Sequence, residues 1–334
     1  MRKTFIAIVL LLAIVLVIFS FSELESILNT IKRSDWRFIG LGLIIETVWL
    51  YNLATTFRAL YRLVGLKEDS RHLMLVAAAA NFINVVAPSA GIGGIAVFID
   101  DAKHRNHASG RVTVVGALFV LFDYIAFLCV LALGWVVLIR RNNLNMGEIT
   151  ASIILLCLAV AFAVLLYLGY RSAAELSKAL AWMARAVNRI LRPFLHRDYL
   201  SVERAYTFAD EIAEGLSAIK GKRKELLWPF LFALNNKALL ICVLALTFLA
   251  FKTAFTVGTL VGGFSIGYLF LIVSPTPSGL GFVEGALTIA LNSLRVPLGT
   301  AGVITMIYRA ITFWFPLGVG AIAFRYLSNQ SKPV

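Results

Sequence analysis

The sequence predicts an all-α polytopic membrane protein with about six full transmembrane helices and two re-entrant hairpins in an inverted repeat. Of its 334 residues, 60% are hydrophobic and 15% are charged, whereas soluble domains carry about 25% charged residues. The mean hydropathy is +0.86. Apolar runs of 18 or more residues recur along the chain, and each could cross a hydrocarbon core of about 30 Å as a helix.

Six of these runs are uninterrupted and predict full membrane crossings. They lie at 4–21, 38–58, 113–139, 149–170, 226–251 and 298–324. The first run resembles a signal peptide, but it is longer than a typical signal sequence core and no A-x-A cleavage site follows it. We therefore expect an uncleaved first span.

Two further apolar segments, 72–102 and 253–293, are interrupted by proline and glycine. These residues disrupt helical hydrogen bonding or permit sharp turns, and a break at mid-membrane must be buried in protein or line a cavity. The simplest geometry is a re-entrant hairpin that enters and leaves on one side. The residues at the breaks include Pro88, Gly91, Pro277, Gly279 and Gly281.

The positive charges favour these hairpins over full crossings. With a cytoplasmic N-terminus, 21 of the 31 Lys and Arg residues fall on the cytoplasmic side and seven fall outside, as the positive-inside rule requires. Full crossings would put the basic loop 171–225 outside. The sequence thus predicts a multi-pass protein of the cell membrane with both termini in the cytoplasm.

An internal repeat follows from the same topology. Asp123 lies 35 residues after Pro88, and Arg309 lies 32 residues after Pro277, so each break precedes a long span with a central charge. Inverted repeats with broken helices are typical of secondary transporters, where the breaks mark the substrate site. We predict a single domain over 1–334.

The loop 171–225 is the largest segment outside the predicted spans. Apolar residues at helical spacing predict an amphipathic helix over 173–192, ended by Pro193, and a second helix near Phe208. Arg185, Arg189 and Arg192 would form a basic face on the first helix. Two interpretations stay open: the helix lies on the anionic inner leaflet, or the loop packs on the base of the bundle.

Five ionisable residues lie deep inside apolar segments. Such residues are costly in the bilayer and normally face the protein interior in pairs. Glu284 and Arg309 are the best predicted pair, because the second break and the last span adjoin in sequence. A structural salt bridge and a site for a charged headgroup are both open. The five residues are Glu46, Asp123, Lys237, Glu284 and Arg309.

The second break also predicts an anion site. The half-helix after Gly281 would begin at mid-depth with free N–H groups, which favour a phosphate, and Arg309 would add a positive charge. Asn81 and Asn84 precede the first break and would either bond across helices or line the site. The candidate substrate-binding residues are Glu46, Asn81, Asn84, Pro88, Gly91, Asp123, Lys237, Pro277, Gly279, Gly281, Glu284 and Arg309.

Little in the sequence indicates catalysis or metal binding. Asp100, Asp101, His104 and His107 could share one helical face, but a solvated turn is the favoured interpretation over a zinc site. The three cysteines lie in apolar runs without paired spacing. We predict no catalytic residue, cofactor, metal or nucleic-acid partner, and the sequence is compatible with an oligomer.

The run PTPSGLGFVEGALTIAL, followed by YRAITFWFPLGVGAIAF, resembles the C-terminal signature of the lysylphosphatidylglycerol synthase transmembrane region, also called flippase-like domain proteins. The resemblance covers nearly the whole chain and is strongest at 275–324. Ser278 stands where the family usually has glycine. In the first half, Ser89-Ala-Gly-Ile-Gly-Gly94 and Phe119-Val120 replace charged family motifs, which implies a different headgroup. The matching residues are Pro275, Pro277, Gly279, Leu280, Gly281, Glu284 and Arg309.

The resemblance implies a lipid flippase or translocase whose partners are membrane lipids with an anionic or aminoacylated headgroup. The 334 residues offer no room for the aminoacyltransferase domain of the name-giving relatives, so lipid handling without synthesis is expected. Two alternatives stay open: a membrane enzyme acting on lipid-linked substrates, and a small-solute secondary transporter. A lateral opening would favour a lipid, whereas a closed vestibule would favour a solute.

Overall fold

A computed structural model describes residues 34–86, 92–105, 107–140, 146–195, 201–222, 224–274 and 276–330. These residues form helices and short connections, with no strand among them, which confirms the all-α prediction. The predicted span 4–21 and the break residues Pro88 and Gly91 lie outside the described residues.

Twelve α-helices follow one another along the described chain. They are α1 (Trp36–Leu63), α2 (Ser70–Val86), α3 (Ile92–His104), α4 (Ser109–Arg140), α5 (Met146–Arg171), α6 (Ala173–Leu195), α7 (Val202–Ser217), α8 (Leu227–Ala250), α9 (Val257–Val273), α10 (Phe282–Ser293), α11 (Leu298–Arg309) and α12 (Phe315–Gln330). A 3₁₀ turn, Pro277–Gly279, follows α9, and a π-helical turn, Ala310–Trp314, joins α11 to α12.

Five helical segments are long and apolar enough to cross a membrane. They are α1, α4, α5, α8 and the continuous segment formed by α11 and α12. Each coincides with one of the uninterrupted runs in the sequence, so five of the six predicted full spans are present. The chain is therefore a polytopic helical membrane protein.

The two interrupted segments form pairs of short antiparallel helices. In the first pair, α2 packs on α3, and in the second, α9 packs on α10. Their 17, 13, 17 and 12 residues correspond to about 18–26 Å of helix. None of these helices alone would span a hydrocarbon core of about 30 Å. This is the geometry that the two re-entrant hairpins require.

The turn of the second hairpin depends on left-handed backbone. Ser278, Gly279 and Gly281 have φ angles of 50°, 72° and 79°, a region that residues with a Cβ rarely adopt. A Cβ on Gly279 would also overlap the side chain of Val283. The glycine pattern of the second break is thus a requirement of the turn itself.

The long helix of each half packs on the hairpin of the other half. Helix α4 follows the first hairpin but packs on α9, whereas α12 ends the second half and packs on α2. Close approach occurs at small residues in both places: Gly134 of α4 meets Ser265, and Gly320 of α12 meets the backbone of Ala78. Small residues allow such contacts between membrane helices. This reciprocal exchange is the packing that an inverted repeat predicts.

The basic loop packs on the bundle. Helices α6 and α7 lie against each other, and α7 packs on the start of α4, where Gly110 meets the backbone of Glu211. Lys222 Nζ also donates to the Leu63 carbonyl at 2.7 Å. These contacts support the interpretation of a loop on the bundle base. The predicted helix end at Pro193 is wrong, since α6 continues to Leu195; a proline late in a helix leaves the following residues free to stay helical.

Candidate functional site

A cavity of about 180 Å³ lies between the two hairpins. Helices α1, α2, α8, α9, α10 and α11, the second hairpin's turn and the π-helical turn all contribute to its wall. Apolar and aromatic side chains dominate, with a few polar groups among them, as in most small ligand sites. The polar groups of the lining come from Trp49, Asn81, Tyr268, Ser278, Tyr308, Arg309 and Thr312.

Among the described residues that line this cavity, Arg309 alone is charged. Its Nε donates to Glu284 Oε1 at 2.5 Å, and its Nη2 donates to the Ser278 carbonyl at 3.1 Å. The guanidinium also lies 4.6 Å from the ring centroid of Phe313. The ion pair predicted from the sequence is therefore present, and it binds the turn of the second hairpin to the last span.

The π-helical turn positions two side chains of the cavity lining. It begins directly after Arg309 and widens the helix by one residue, so that Thr312 and Phe313 both face the cavity. Single π-helical turns inside α-helices often occur at functional sites. No proline or glycine in AITFW signals this turn in the sequence.

The Arg309–Glu284 pair is not fully satisfied. Glu284 Oε2 is buried without a hydrogen-bond partner in the described part of the chain, whereas both the Nε and Nη2 donors of Arg309 are in use. The predicted anion site is thus already occupied by a carboxylate. Only two of the five Arg309 N–H donors bond to described residues, so a phosphate could bind the free donors beside Glu284 or exchange with the carboxylate.

A second buried cluster joins three helices. Lys237 Nζ of α8 lies 2.5 Å from Asp123 Oδ1 of α4 and 2.5 Å from the Tyr268 hydroxyl of α9. That hydroxyl in turn donates to Asp123 Oδ2 at 3.2 Å. The sequence analysis missed Tyr268, which lies in an apolar run among other aromatic residues. Because Tyr268 also lines the cavity, it connects this cluster to the cavity wall.

The two asparagines before the first break have different roles. Asn81 lines the cavity and makes no hydrogen bond to another described residue. Asn84 Oδ1 accepts from the Gly94 N–H at 2.6 Å, so it joins α2 to the first turn of α3. The interpretation of cross-helix bonding holds for Asn84, while site lining holds for Asn81.

Glu46 lies outside the cavity lining. Its residue is fully buried in α1, and neither carboxyl oxygen has a hydrogen-bond partner among the described residues. One turn earlier, Gly42 lies against Ile311 of the π-helical turn. Glu46 therefore lies on the side of α1 that packs on the π-helical turn, and it forms no hydrogen bond with Arg309.

The remaining predicted residues of the second break, and the acidic and histidine residues near Asp101, lie outside the cavity lining. Gly279, Gly281 and the backbone of Pro277 shape the turn and do not line the cavity. The solvated turn predicted for Asp100, Asp101, His104 and His107 holds in part: Asp100 and His104 are exposed at the end of α3. Asp101 is not, since its Oδ1 lies 2.9 Å from His72 Nε2 and both side chains are 14% exposed. Within the described ranges, no group of three or more His, Cys, Asp or Glu residues is arranged to hold a metal ion.

Five spanning segments and two short-helix hairpins with a cavity between them define a polytopic membrane protein. The chain belongs to the lysylphosphatidylglycerol synthase TM region family, whose pattern matches residues 4–320. A UPF0104 membrane protein from Methanothermobacter thermautotrophicus (strain Delta H) is 23% identical over 328 residues, which cover 96% of this chain and 94% of that protein. No solved structure matches the chain.

Proposed function

We propose that the protein moves a membrane lipid between leaflets, with the headgroup passing through the cavity between the hairpins. The observation that supports this most strongly is the Arg309–Glu284 pair, which is buried where the second hairpin breaks and where Arg309 faces the cavity. Intramembrane charges at a helix break are typical of translocation sites.

The pair offers chemistry for both ends of a charged headgroup. When a phosphate exchanges with Glu284, it gains the fork of donors on Arg309, and the released carboxylate becomes an acceptor for an ammonium or hydroxyl group. A headgroup that contains both a phosphate and an amino or hydroxyl group would therefore lose little on leaving water. We infer that anionic or aminoacylated phospholipids are the substrate class.

The cavity is too small for a whole lipid, which places the acyl chains elsewhere. Its 180 Å³ falls below the usual range of about 300–1,000 Å³ for ligand pockets. A separate apolar groove of about 510 Å³ runs along α10, with Gly281 near the turn at one end and Ser293 near the other. This groove favours a lipid over a small solute, although the cavity alone would suit either.

The distribution of Lys and Arg residues indicates how the protein is oriented in the membrane. We propose that the protein resides in the cell membrane with both termini in the cytoplasm, because this orientation puts most Lys and Arg residues inside. The first hairpin would then open to the cytoplasm and the second to the outside. A headgroup that enters from either leaflet would therefore meet the hairpin that opens on that side.

The test is lipid movement in proteoliposomes containing fluorescent phospholipids and an impermeant quencher. Asn81→Ala removes a polar cavity group that has no hydrogen-bond partner among the described residues, so we expect slower movement, by about tenfold or about 1.4 kcal/mol, with unchanged thermal stability. Thr55→Ala is the control, since Thr55 bonds only to its own helix and does not line the cavity.

The same proteoliposomes test which class of lipid the protein moves. We expect faster movement of phosphatidylglycerol than of phosphatidylcholine, because only the former is anionic. Movement no faster than in protein-free vesicles, for every headgroup, would overturn the proposal and leave the solute transporter as the better hypothesis. Equal rates for wild type and Asn81→Ala would remove the cavity from the route.

A further inference from the structure

A basic cup lies where α1 ends beside the open end of the first hairpin. It encloses about 610 Å³, and its lining shares no residue with the cavity between the hairpins. Four of the six lining side chains are cationic and two are acidic. They are Arg58, Arg62, Lys67, Glu68, Asp69 and Arg105.

Both acids of the cup are already engaged. Glu68 is bound by Arg105 Nη1 at 3.1 Å and lies 3.5 Å from His107 Nε2, and its side chain is only 8% exposed. Asp69 Oδ2 accepts from the Arg71 backbone N–H at 3.2 Å, at the start of α2. With four cations and two acids in its lining, the cup keeps a net positive charge.

Three cations retain unused donors. Arg62 and Lys67 are exposed and form no hydrogen bond or ion pair with another described residue. Arg58 donates through Nη1 to Ser70 Oγ at 3.0 Å, but its Nε is buried without a partner among the described residues. A buried, unpaired donor is unfavourable, so the Arg58 guanidinium, which lines the cup, is incompletely paired among the described residues.

Ordinary surface electrostatics explains only part of this arrangement. Arg62 lies in the last turn of α1, where a cation is favoured by the helix dipole, and the positive-inside rule favours basic residues on this side. Neither effect requires four cations to converge on one concave site, nor does either account for the unpaired Nε of Arg58.

We propose that this cup binds a phosphate group, either on a phospholipid headgroup or as a free phosphate. Guanidinium groups match phosphate oxygens in a forked geometry, and Arg58, Arg62 and Lys67 present donors from two sides of the cup. The site is distinct from the translocation route, so it holds whether or not the protein moves lipids.

The experiment measures binding to the purified full chain in a non-ionic detergent by isothermal titration calorimetry. Three probes are used: dihexanoyl phosphatidic acid, dihexanoyl phosphatidylcholine and inorganic phosphate. Dihexanoyl phosphatidic acid should bind more tightly than the choline lipid, since its phosphate is more negative and unobstructed. If inorganic phosphate binds as tightly, the ligand is free phosphate; if it binds far more weakly, the ligand is a headgroup.

Variants of the lining residues test whether the phosphate binds in the cup. The double variant Arg62→Gln with Lys67→Gln should bind about tenfold more weakly or worse, because it removes two charge-assisted contacts. The control double variant, Lys224→Gln with Arg325→Gln, removes two exposed charges outside the cup and should bind normally. An equal loss in both double variants, or no binding by the wild type, would overturn the proposal.

Because Arg62 and Lys67 are exposed, their loss should leave folding intact, which circular dichroism and thermal unfolding would confirm. Arg58→Lys provides a second variant: it keeps the positive charge but loses the forked guanidinium donors. We expect it to weaken binding by a smaller factor than the double variant. Unchanged binding would contradict a contact between the Arg58 guanidinium and the phosphate.

Discussion

Among the described spanning helices, Lys237 and Arg309 each form a buried ion pair with a carboxylate, and the two pairs have different surroundings. Lys237 binds both Asp123 and Tyr268, and these two bind each other, so three helices close around a complete network. Arg309 instead holds Glu284 and the carbonyl of a broken helix at the edge of a cavity.

The difference teaches that a buried charge pair alone does not mark a site. A network whose members satisfy one another gains nothing from a ligand, whereas a pair with an unpaired carboxyl oxygen beside a cavity can exchange partners. We therefore expect the Lys237–Asp123–Tyr268 network to stabilise the bundle, and it is the Arg309–Glu284 pair that we propose as the headgroup contact.

The largest effect is expected from Lys237→Ala. It leaves the Asp123 carboxylate buried without its cation, which destabilises a protein by about 3–5 kcal/mol. Equilibrium unfolding in mixed micelles would measure the change. Replacing both Lys237 and Asp123 with Leu should recover most of the loss, since an apolar pair can substitute for a buried ion pair. A single variant as stable as the wild type would contradict the stabilising role.

Gly279→Ala should have the next largest effect. The positive φ and the overlap with Val283 together should destabilise the second hairpin by about 1–3 kcal/mol. Gly281→Ala is the matched control, because its φ is similar but a Cβ there would meet open space. If both variants lose the same stability, the contact with Val283 adds nothing and only the backbone angle matters.

Asn84→Ala should cost about 1–3 kcal/mol, because it leaves the buried Gly94 N–H without an acceptor. Asn81→Ala should leave stability almost unchanged, since its side chain bonds to no described residue. The same unfolding measurement compares the two variants directly. Similar losses at both positions would show that Asn81 also has a structural role.

The smallest expected effect is a gain in stability. Ser278→Gly should stabilise the protein by about 1 kcal/mol, because a left-handed conformation is unfavourable for a residue with a Cβ. The Ser278 carbonyl would remain available to Arg309, so lipid movement should persist. Loss of stability in this variant would mean that the serine side chain supports the turn in a way that its backbone angle does not indicate.

Much of the fold could be predicted because its signals are local. The apolar runs, the glycine and proline breaks and the Glu284–Arg309 pair all follow from residues close together in sequence, since α10 leads directly into α11. The partner of Lys237 could not be predicted in this way. Asp123 lies 114 positions away, and helical periodicity does not determine which distant helix faces which.

Other features were hidden for related reasons. Tyr268 is one aromatic residue among several in an apolar helix, and only the packing of α4 and α8 around it gives its hydroxyl a role. Glu46 has the same sequence context as the other buried acids, yet it does not line the cavity and has no hydrogen-bond partner among the described residues. Its position depends on the contact between α1 and the π-helical turn, which has no sequence marker.

The most direct test compares the two ion pairs in the proteoliposome assay. Glu284→Gln keeps an acceptor for Arg309 but removes the exchangeable charge, so it should slow lipid movement by about tenfold or more, equivalent to at least about 1.4 kcal/mol. The Lys237→Leu with Asp123→Leu variant should move lipid at nearly the wild-type rate. The opposite pattern, with Glu284→Gln active and the double variant inactive, would contradict the account.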